Sequence, residues 1–193
     1  SLACVPTDDD EREHLGAAPE AWWWWGWSHD RTVGLFVGLE VRGPRFDYRA
    51  GCARAGRPFV YVEELDGTGR RAGLELKPAE MWADHVCEVP HRQWSLGDEA
   101  HGVLLDDVGQ ALVRPYGTRV PVTFDVEWYA TERAVAVSAG YEQPGEVDAV
   151  MELTEGLIEV QGPGHRLHVW GAVPSPTEVL TRAGFLAPTV DRR

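Results

Sequence analysis

The fold of this chain is decided by the stretch WWWWGWS at residues 22–28, followed by TVGLFVGLEVR at residues 32–42. In the second stretch, apolar residues alternate with mostly smaller or polar ones, and a period of two is typical of a half-buried β-strand. The polar segment at residues 29–31 separates the two stretches and suits a short turn. The sequence therefore predicts a β-hairpin at residues 22–42.

The tryptophan run places bulky side chains on both faces of its strand. Successive side chains point to opposite faces, so Trp22 and Trp24 share one face, while Trp23, Trp25 and Trp27 share the other. The chain has nine tryptophans, and each indole N–H needs a partner when it is buried. We expect one face to line a cavity and the other to pack under helices or a partner subunit, with an ordinary packed core as the alternative.

The same period of two recurs along most of the chain. Further strands are predicted at residues 46–53, 58–65, 73–77, 81–89, 93–105, 120–129, 146–153, 156–161 and 166–170, and the sequence GPG at residues 162–164 is predicted to be a turn. Asp107 resembles a helix N-cap, and Ser175 begins a capping box with Gly184 at the C-terminal end. The pattern predicts a mainly β protein, an antiparallel barrel or barrel-like sandwich with two short helices.

The length of 193 residues favours one domain, because all-β barrels commonly reach this size undivided. Residues 1–21 are acidic with isolated apolar positions, so they are predicted to be a flexible lead-in that cannot bury enough surface to become ordered. The β domain is predicted to occupy residues 22–186, and residues 187–193 are predicted to be a tail.

Charge and cysteine content limit the partners of the chain. It has 31 acidic and 18 basic residues, a net charge of −13, and this field would repel nucleic acid and anionic membrane surfaces. No window has the roughly 18 uninterrupted apolar residues of a membrane span. Cys4, Cys52 and Cys87 are too few for a disulfide framework, which favours a soluble protein of the cytoplasm. Lipid attachment at Cys4 remains an alternative.

Arg166, His168 and Trp170 form the best candidate for chemistry, because alternation places all three on one face of a strand. A cation, a titratable imidazole and an indole donor would then converge, and they could bind a carbonyl or carboxylate or transfer a proton. The alternative is a structural histidine beside a core tryptophan. Asp125 and Glu127 share a strand face that we expect to be exposed to solvent.

Other signatures of chemistry are weak or absent. His85, Cys87 and His91 offer metal-ligand chemistry, but no fourth ligand follows at a recognised spacing, so we expect no metal and no cofactor. Residues 67–73 superficially resemble a dinucleotide loop, and they are predicted to be a hairpin loop. The sequence contains no nucleophile elbow, P-loop or zinc-protease motif.

Several segments together resemble a known family. YEQPG at residues 141–145, GLIEVQG at 156–162 and RLHVWG at 166–171 are similar to the lipocalin-like tandem β-barrel proteins that include carotenoid hydratases (hydroxyneurosporene synthases) and cofactor-free cyclases. The second barrel of that family has an Arg-Asp-His-Ser-Trp-Gly signature. Here Leu167 stands at the position of the Asp and Val169 at that of the Ser, and the chain has about half the tandem length. The resemblance implies the barrel, without the acid that family-style hydration uses.

These observations lead to one functional hypothesis and two alternatives. The hypothesis is a barrel that binds an apolar small molecule and catalyses its cyclisation or isomerisation without a cofactor, with His168 and Arg166 as catalytic residues. The alternatives are a non-catalytic carrier of a lipid or metabolite and a structural module that forms a homodimer. The predicted ligand-binding residues are aromatic: Trp22, Trp24, Trp25, Trp27, Trp94, Trp128, Trp170, Tyr48 and Tyr61.

Overall fold

A computed structural model of the chain describes residues 5–188, so Cys4 and the end of the predicted tail lie outside the described part. The strands are β1 (Glu20–Trp27), β2 (Val33–Arg42), β3 (Arg45–Arg54), β4 (Phe59–Gly67), β5 (Trp82–Val89), β6 (Gln93–Leu105), β7 (Thr118–Ala130), β8 (Val135–Val137), β9 (Gly140–Leu153) and β10 (Gly156–Trp170). The helices are α1 (Val108–Val113) and α2 (Pro176–Arg182), and a 3-10 helix spans Asp8–Glu11.

The strands pair antiparallel and close into a ring. Strands β10, β1, β2, β3, β4, β6, β7 and β9 are neighbours in that order, and β9 pairs again with β10. Strand β5 pairs with β6, and β8 pairs with β9, both outside this ring. The predicted antiparallel barrel is therefore confirmed, and closure distinguishes it from the barrel-like sandwich.

Buried side chains form two apolar clusters, one on each side of the barrel wall. The interior cluster contains Trp22 and Trp24 of β1 together with inward residues of the other strands. The outer cluster contains Trp23 and Trp25, packed with Leu180 of α2 and with other apolar residues of the helices. One face of the tryptophan run thus points into the barrel, and the other supports the helices.

Both predicted helices form, and their caps are those expected from the sequence. The Asp107 carboxylate accepts a hydrogen bond from the Gln110 backbone N–H at the start of α1. Ser175 and Glu178 form a reciprocal capping box at the start of α2. These short helices lie over the outer cluster, so their stability depends on packing against the barrel.

One predicted strand and one predicted turn are wrong. Residues 73–77 do not form a strand, because only Leu76 in this stretch makes isolated bridges, to Arg70 and Ala83, and Gly73 has a φ of 71° that starts a turn. The predicted turn at 162–164 is instead the middle of β10, which is paired there with β9. A Cβ on Gly162 would lie 2.2 Å from the Trp27 carbonyl oxygen, so the glycine permits close approach of β1 rather than a turn.

The segment before β1, predicted to be a flexible lead-in, has a defined place in the structure. Residues 5–19 lie at the barrel end where β1 and β9 begin and β10 ends. Glu11 is only 5% exposed, and its side chain contacts residues of β9 and β10. The segment is acidic, as the sequence shows, but one acid is matched by a buried cation of the barrel, which composition alone does not reveal.

Within residues 5–188, no helix combines the length and apolar character needed to cross a bilayer.

Candidate functional site

Buried polar side chains concentrate at this end of the barrel. Arg166 and His168 point inward near the end of β10, and Gln143 points inward from β9. Glu20 is the first residue of β1, and Glu11 belongs to the 3-10 helix. All five are almost completely buried. Charged groups are rarely buried unless they are paired, so the contacts between them define the site.

Arg166 and Glu11 form a two-pronged ion pair. The guanidinium Nη1 and Nη2 donate to the two Glu11 carboxylate oxygens over 2.7 and 2.6 Å. Nε and Nη2 also donate to the Gln143 side-chain oxygen, over 3.1 and 2.9 Å. Burial raises the pKa of Glu11, but the hydrogen bonds and charge of Arg166 outweigh this effect and leave the pKa below its ordinary value. The pair is therefore ionised.

Aromatic rings surround the Arg166 guanidinium. Its central carbon lies 5.1 Å from the ring centroid of Trp128, 5.0 Å from that of Tyr141 and 5.8 Å from that of Trp94. These distances suit cation–π attraction, which is stronger where water is excluded. The guanidinium therefore forms the boundary between the polar end of the barrel and its tryptophan-lined interior.

His168 lies beside this pair, between an acid and a phenol. Its Nε2 lies 2.6 Å from a Glu20 carboxylate oxygen, and its Nδ1 lies 3.1 Å from the Tyr141 hydroxyl. The ring stacks on Trp22 with centroids 4.5 Å apart. Burial lowers the pKa of His168 more than the neighbouring Glu20 raises it. His14 contacts the same Glu20 oxygen over 2.9 Å.

The barrel interior contains polar atoms without partners. Among the described residues, four indole nitrogens have no hydrogen-bond partner although they are buried, and all four belong to the interior cluster. The same is true of His85 Nε2 and Asp98 Oδ1. The four indoles are those of Trp22, Trp24, Trp94 and Trp128. Contacts join the set, because Trp24 lies 5.1 Å from Trp94 and 5.7 Å from His85, centroid to centroid.

Asp98 and Tyr48 form a second buried polar pair, deeper in the interior. The Tyr48 hydroxyl donates to Asp98 Oδ2 over 2.6 Å, and the Tyr48 ring lies 5.7 Å from His85. Burial raises the pKa of Asp98 to about 7 against the opposing hydrogen bond. Burial lowers the pKa of His85 to about 4, so this imidazole is neutral, and its Nδ1–H donates to the Leu74 carbonyl.

The structure brings most of the predicted site residues together. Arg166 and His168 lie at the polar end, and Trp170 stacks on His14 with centroids 3.7 Å apart. The interior contains Trp22, Trp24, Trp94, Trp128 and Tyr48. Trp25, Trp27 and Tyr61 lie instead in or against the outer cluster. The period of two explains the separation, because these three residues alternate with the inward positions of β1 and β4.

Sequence reasoning missed several residues of the site, and some of them had a signal. Glu20 lies two and four positions before Trp22 and Trp24, so it shares their strand face. Asp98 is likewise an even number of positions from the inward residues of β6. Both residues could therefore have been identified from the sequence as polar side chains on an apolar face. Glu11 and His14 had no such signal, since they lie outside any strand. Asp125 is exposed, as expected from the sequence, whereas Glu127 is only half-exposed, because its carboxylate accepts hydrogen bonds from the Gln93 and Ser95 side chains.

An open depression of about 670 Å³ lies next to the buried network. Its walls include Pro6 and Asp8 of the first segment, His91 of the β5–β6 turn, and Gln143. The His91 and Gln143 side chains both contact Arg166, so solvent approaches the buried guanidinium to within one layer of residues.

Comparison with protein-family models, with curated proteins and with solved structures finds no match for this chain. The similarity to the lipocalin-like tandem barrels remains a prediction from the quoted segments. A functional proposal for the chain therefore depends on its own geometry.

Proposed function

We propose that this barrel binds a mainly apolar small molecule bearing hydroxyl or carbonyl oxygens, with the molecule lying among the interior tryptophans. The observation that supports this proposal is the set of four buried indole N–H groups without partners. An apolar wall alone would need no such donors, and a structural core would normally pair them.

The free-energy cost of leaving four indole N–H groups unpaired supports a bound molecule that has hydrogen-bond acceptors. Each buried donor without a partner costs about 1–3 kcal/mol, so four cost about 4–12 kcal/mol. That sum approaches the whole stability of a typical domain, about 5–15 kcal/mol. Acceptor atoms near the indoles would remove most of this cost. Either ordered water or ligand oxygens can supply them, and the experiments below distinguish the two.

The remaining unpaired atoms define the ligand more closely. Because His85 Nδ1 donates to a carbonyl, its Nε2 has a free lone pair and can only accept. Asp98 accepts from Tyr48 through Oδ2, so its Oδ1 is free to bind a proton or a donor. The interior thus offers donors and at least one acceptor within an apolar wall. This combination fits a hydroxylated or keto-bearing apolar molecule better than a plain hydrocarbon.

The first test is native mass spectrometry of the purified chain, followed by solvent extraction. We expect a retained apolar compound with oxygen functions, bound in a ratio of one per barrel. A chain with no retained compound that also fails to bind a panel of keto and hydroxy apolar molecules, by tryptophan fluorescence, would contradict the proposal. A clean dimer with no ligand would favour the structural module instead.

Once a ligand is known, a matched pair of variants tests the role of the indole donors. Trp24→Phe removes one interior N–H, and we expect about 5-fold weaker binding, because a hydrogen bond contributes about 1 kcal/mol. Trp23→Phe alters the neighbouring residue on the outer face, and its affinity should equal that of the wild type. Equal losses in both variants, measured by calorimetry, would show that the indole N–H groups do not bind the ligand.

A second candidate function is proton transfer on the bound molecule, and the Asp98–Tyr48 pair favours it. Asp98 lies inside the barrel with one oxygen free, and its pKa of about 7 suits a group that takes and returns protons at neutral pH. A carboxylate could remove a proton from carbon next to a carbonyl and return it at another carbon, an isomerisation that needs no cofactor. Asp98→Asn should abolish turnover and retain binding. A ligand recovered chemically unchanged from the wild type would contradict proton transfer and would favour a non-catalytic carrier.

A further inference from the structure

Two histidines and a glutamate from three different segments meet at the polar end of the barrel. His14 belongs to the segment before β1, Glu20 is the first residue of β1, and His168 lies in β10. One ligand atom from each lies within 4.8 Å of the others. Glu20 Oε1 is 2.9 Å from His14 Nδ1 and 2.6 Å from His168 Nε2.

Each of the two imidazoles faces oxygen atoms on both sides. His14 Nε2 lies 3.4 Å from the Asp10 carboxylate, opposite the Nδ1 contact with Glu20. His168 Nδ1 faces the Tyr141 hydroxyl, whose shorter contact is with Glu11 Oε2 at 2.7 Å. A neutral imidazole has only one N–H. Satisfying all of these contacts by hydrogen bonds would take two imidazolium rings, with centroids 5.6 Å apart, on the single Glu20 carboxylate.

We propose that His14, Glu20 and His168 bind a divalent transition metal ion, of which Zn²⁺ is the natural probe. With a cation among the three ligand atoms, both imidazoles are neutral and use their inner nitrogen lone pairs as ligands. Their outer N–H groups then donate to Asp10 and to the Tyr141 hydroxyl, and that hydroxyl donates to Glu11. Each of these hydrogen bonds then has one donor and one acceptor. Both histidines are also held by a carboxylate, His14 directly by Asp10 and His168 through Tyr141 by Glu11, an arrangement that is typical of metal ligands.

The donor set and the spacing both suit this class of metal. Two imidazoles with one carboxylate are ligands of zinc and of other first-row ions, whereas calcium and magnesium prefer sites made only of oxygen. A tetrahedral ion with ligands at about 2.0–2.2 Å separates its donor atoms by about 3.3 Å. The two contacts with Glu20 would therefore open by less than about 1 Å. A fourth position remains for water or another ligand.

Metal binding here would add a function to the barrel that ligand binding does not require. Two ligands belong to paired strands, β1 and β10, but His14 belongs to the segment that covers the barrel end. The ion would thus fasten this segment over the Arg166–Glu11 pair. The His14 side chain is 24% exposed, whereas Glu20 and His168 are almost inaccessible, so an ion would enter from the His14 side.

The test is metal titration of the full chain after dialysis against a chelator. We expect calorimetry to show one Zn²⁺ per chain, and Co²⁺ in its place to give the visible absorption bands of a four-coordinate site. His14→Ala should weaken Zn²⁺ binding at least about 100-fold, since loss of a supporting residue alone costs 10–100-fold. Tyr141→Phe should fall within that 10–100-fold range.

A control variant and a folding check separate loss of the metal site from non-specific effects of mutation. His101 is exposed on the barrel wall, so His101→Ala should bind Zn²⁺ like the wild type. His14 lies outside the strands, and its replacement leaves the barrel core intact, so loss of binding in His14→Ala cannot be assigned to unfolding if its circular dichroism is unchanged. Equal Zn²⁺ affinity in the wild type and His14→Ala, or the absence of Co²⁺ absorption bands, would overturn the proposal.

Discussion

Replacing Glu11 with alanine is expected to lower the free energy of unfolding by about 3–5 kcal/mol, the usual cost of leaving one partner of a buried ion pair uncompensated. Arg166 is 1% exposed and has no other carboxylate among its hydrogen-bond partners in the described residues. In the variant its charge would remain buried among aromatic rings. The loss is large for a residue that precedes the first strand and has no sequence signal of burial.

The measurement is urea unfolding followed by tryptophan fluorescence. Asp9 belongs to the same 3-10 helix, but its side chain is 89% exposed, and within residues 5–188 its carboxylate pairs only with Arg12, itself 83% exposed. Asp9→Ala should therefore change stability by less than about 1 kcal/mol. The double variant Glu11→Ala with Arg166→Met should recover much of the loss, because it removes the unpaired charge. A Glu11→Ala protein as stable as Asp9→Ala would contradict the buried pair.

Asp98→Asn is expected to stabilise the protein at alkaline pH by up to about 4 kcal/mol. The pKa of Asp98 rises from 3.8 to about 7 on folding, and each unit corresponds to 1.36 kcal/mol. Between these two values the folded state binds the proton and the unfolded state does not. Wild-type stability therefore falls as pH rises from about 4 to 7, and the penalty is complete above 7. Asparagine keeps an acceptor for Tyr48 and has no charge to bury.

The informative quantity is the stability difference between Asp98→Asn and the wild type at two pH values, since other titrating groups cancel. Linkage predicts that the advantage of the variant grows by about 2 kcal/mol between pH 5.5 and 8.5. Asp125 is exposed on β7, so Asp125→Asn should show no such change. An advantage of Asp98→Asn that stays constant across this range would show that folding does not raise the pKa of Asp98, because the carboxylate would then be charged in both the folded and the unfolded state throughout.

Alternating hydrophobicity was sufficient to predict most strands, and local capping residues were sufficient for both helices. The wrong turn and the wrong strand both contain glycine, which can either form a turn or let neighbouring strands approach closely. At residues 162–164 glycine allows neighbouring strands to approach closely, whereas at Gly73 it allows a turn, and composition does not distinguish these uses. Strand parity places Trp25, Trp27 and Tyr61 in or against the outer cluster rather than in the barrel interior, and ligand binding by these three residues stays a prediction from their aromatic identity.

The sequence by itself determined the class of fold, the two-faced tryptophan strand and the shared face of Arg166 and His168, because each of these depends on residues a few positions apart. Only the tertiary structure decided what those residues meet. Glu11 and Arg166 are 155 positions apart, and Glu20 and His168 are 148 apart, so ring closure and the placement of the first segment were needed to pair them. The same holds for the unpaired indoles of the interior, since whether a donor has a partner depends on every strand of the closed barrel.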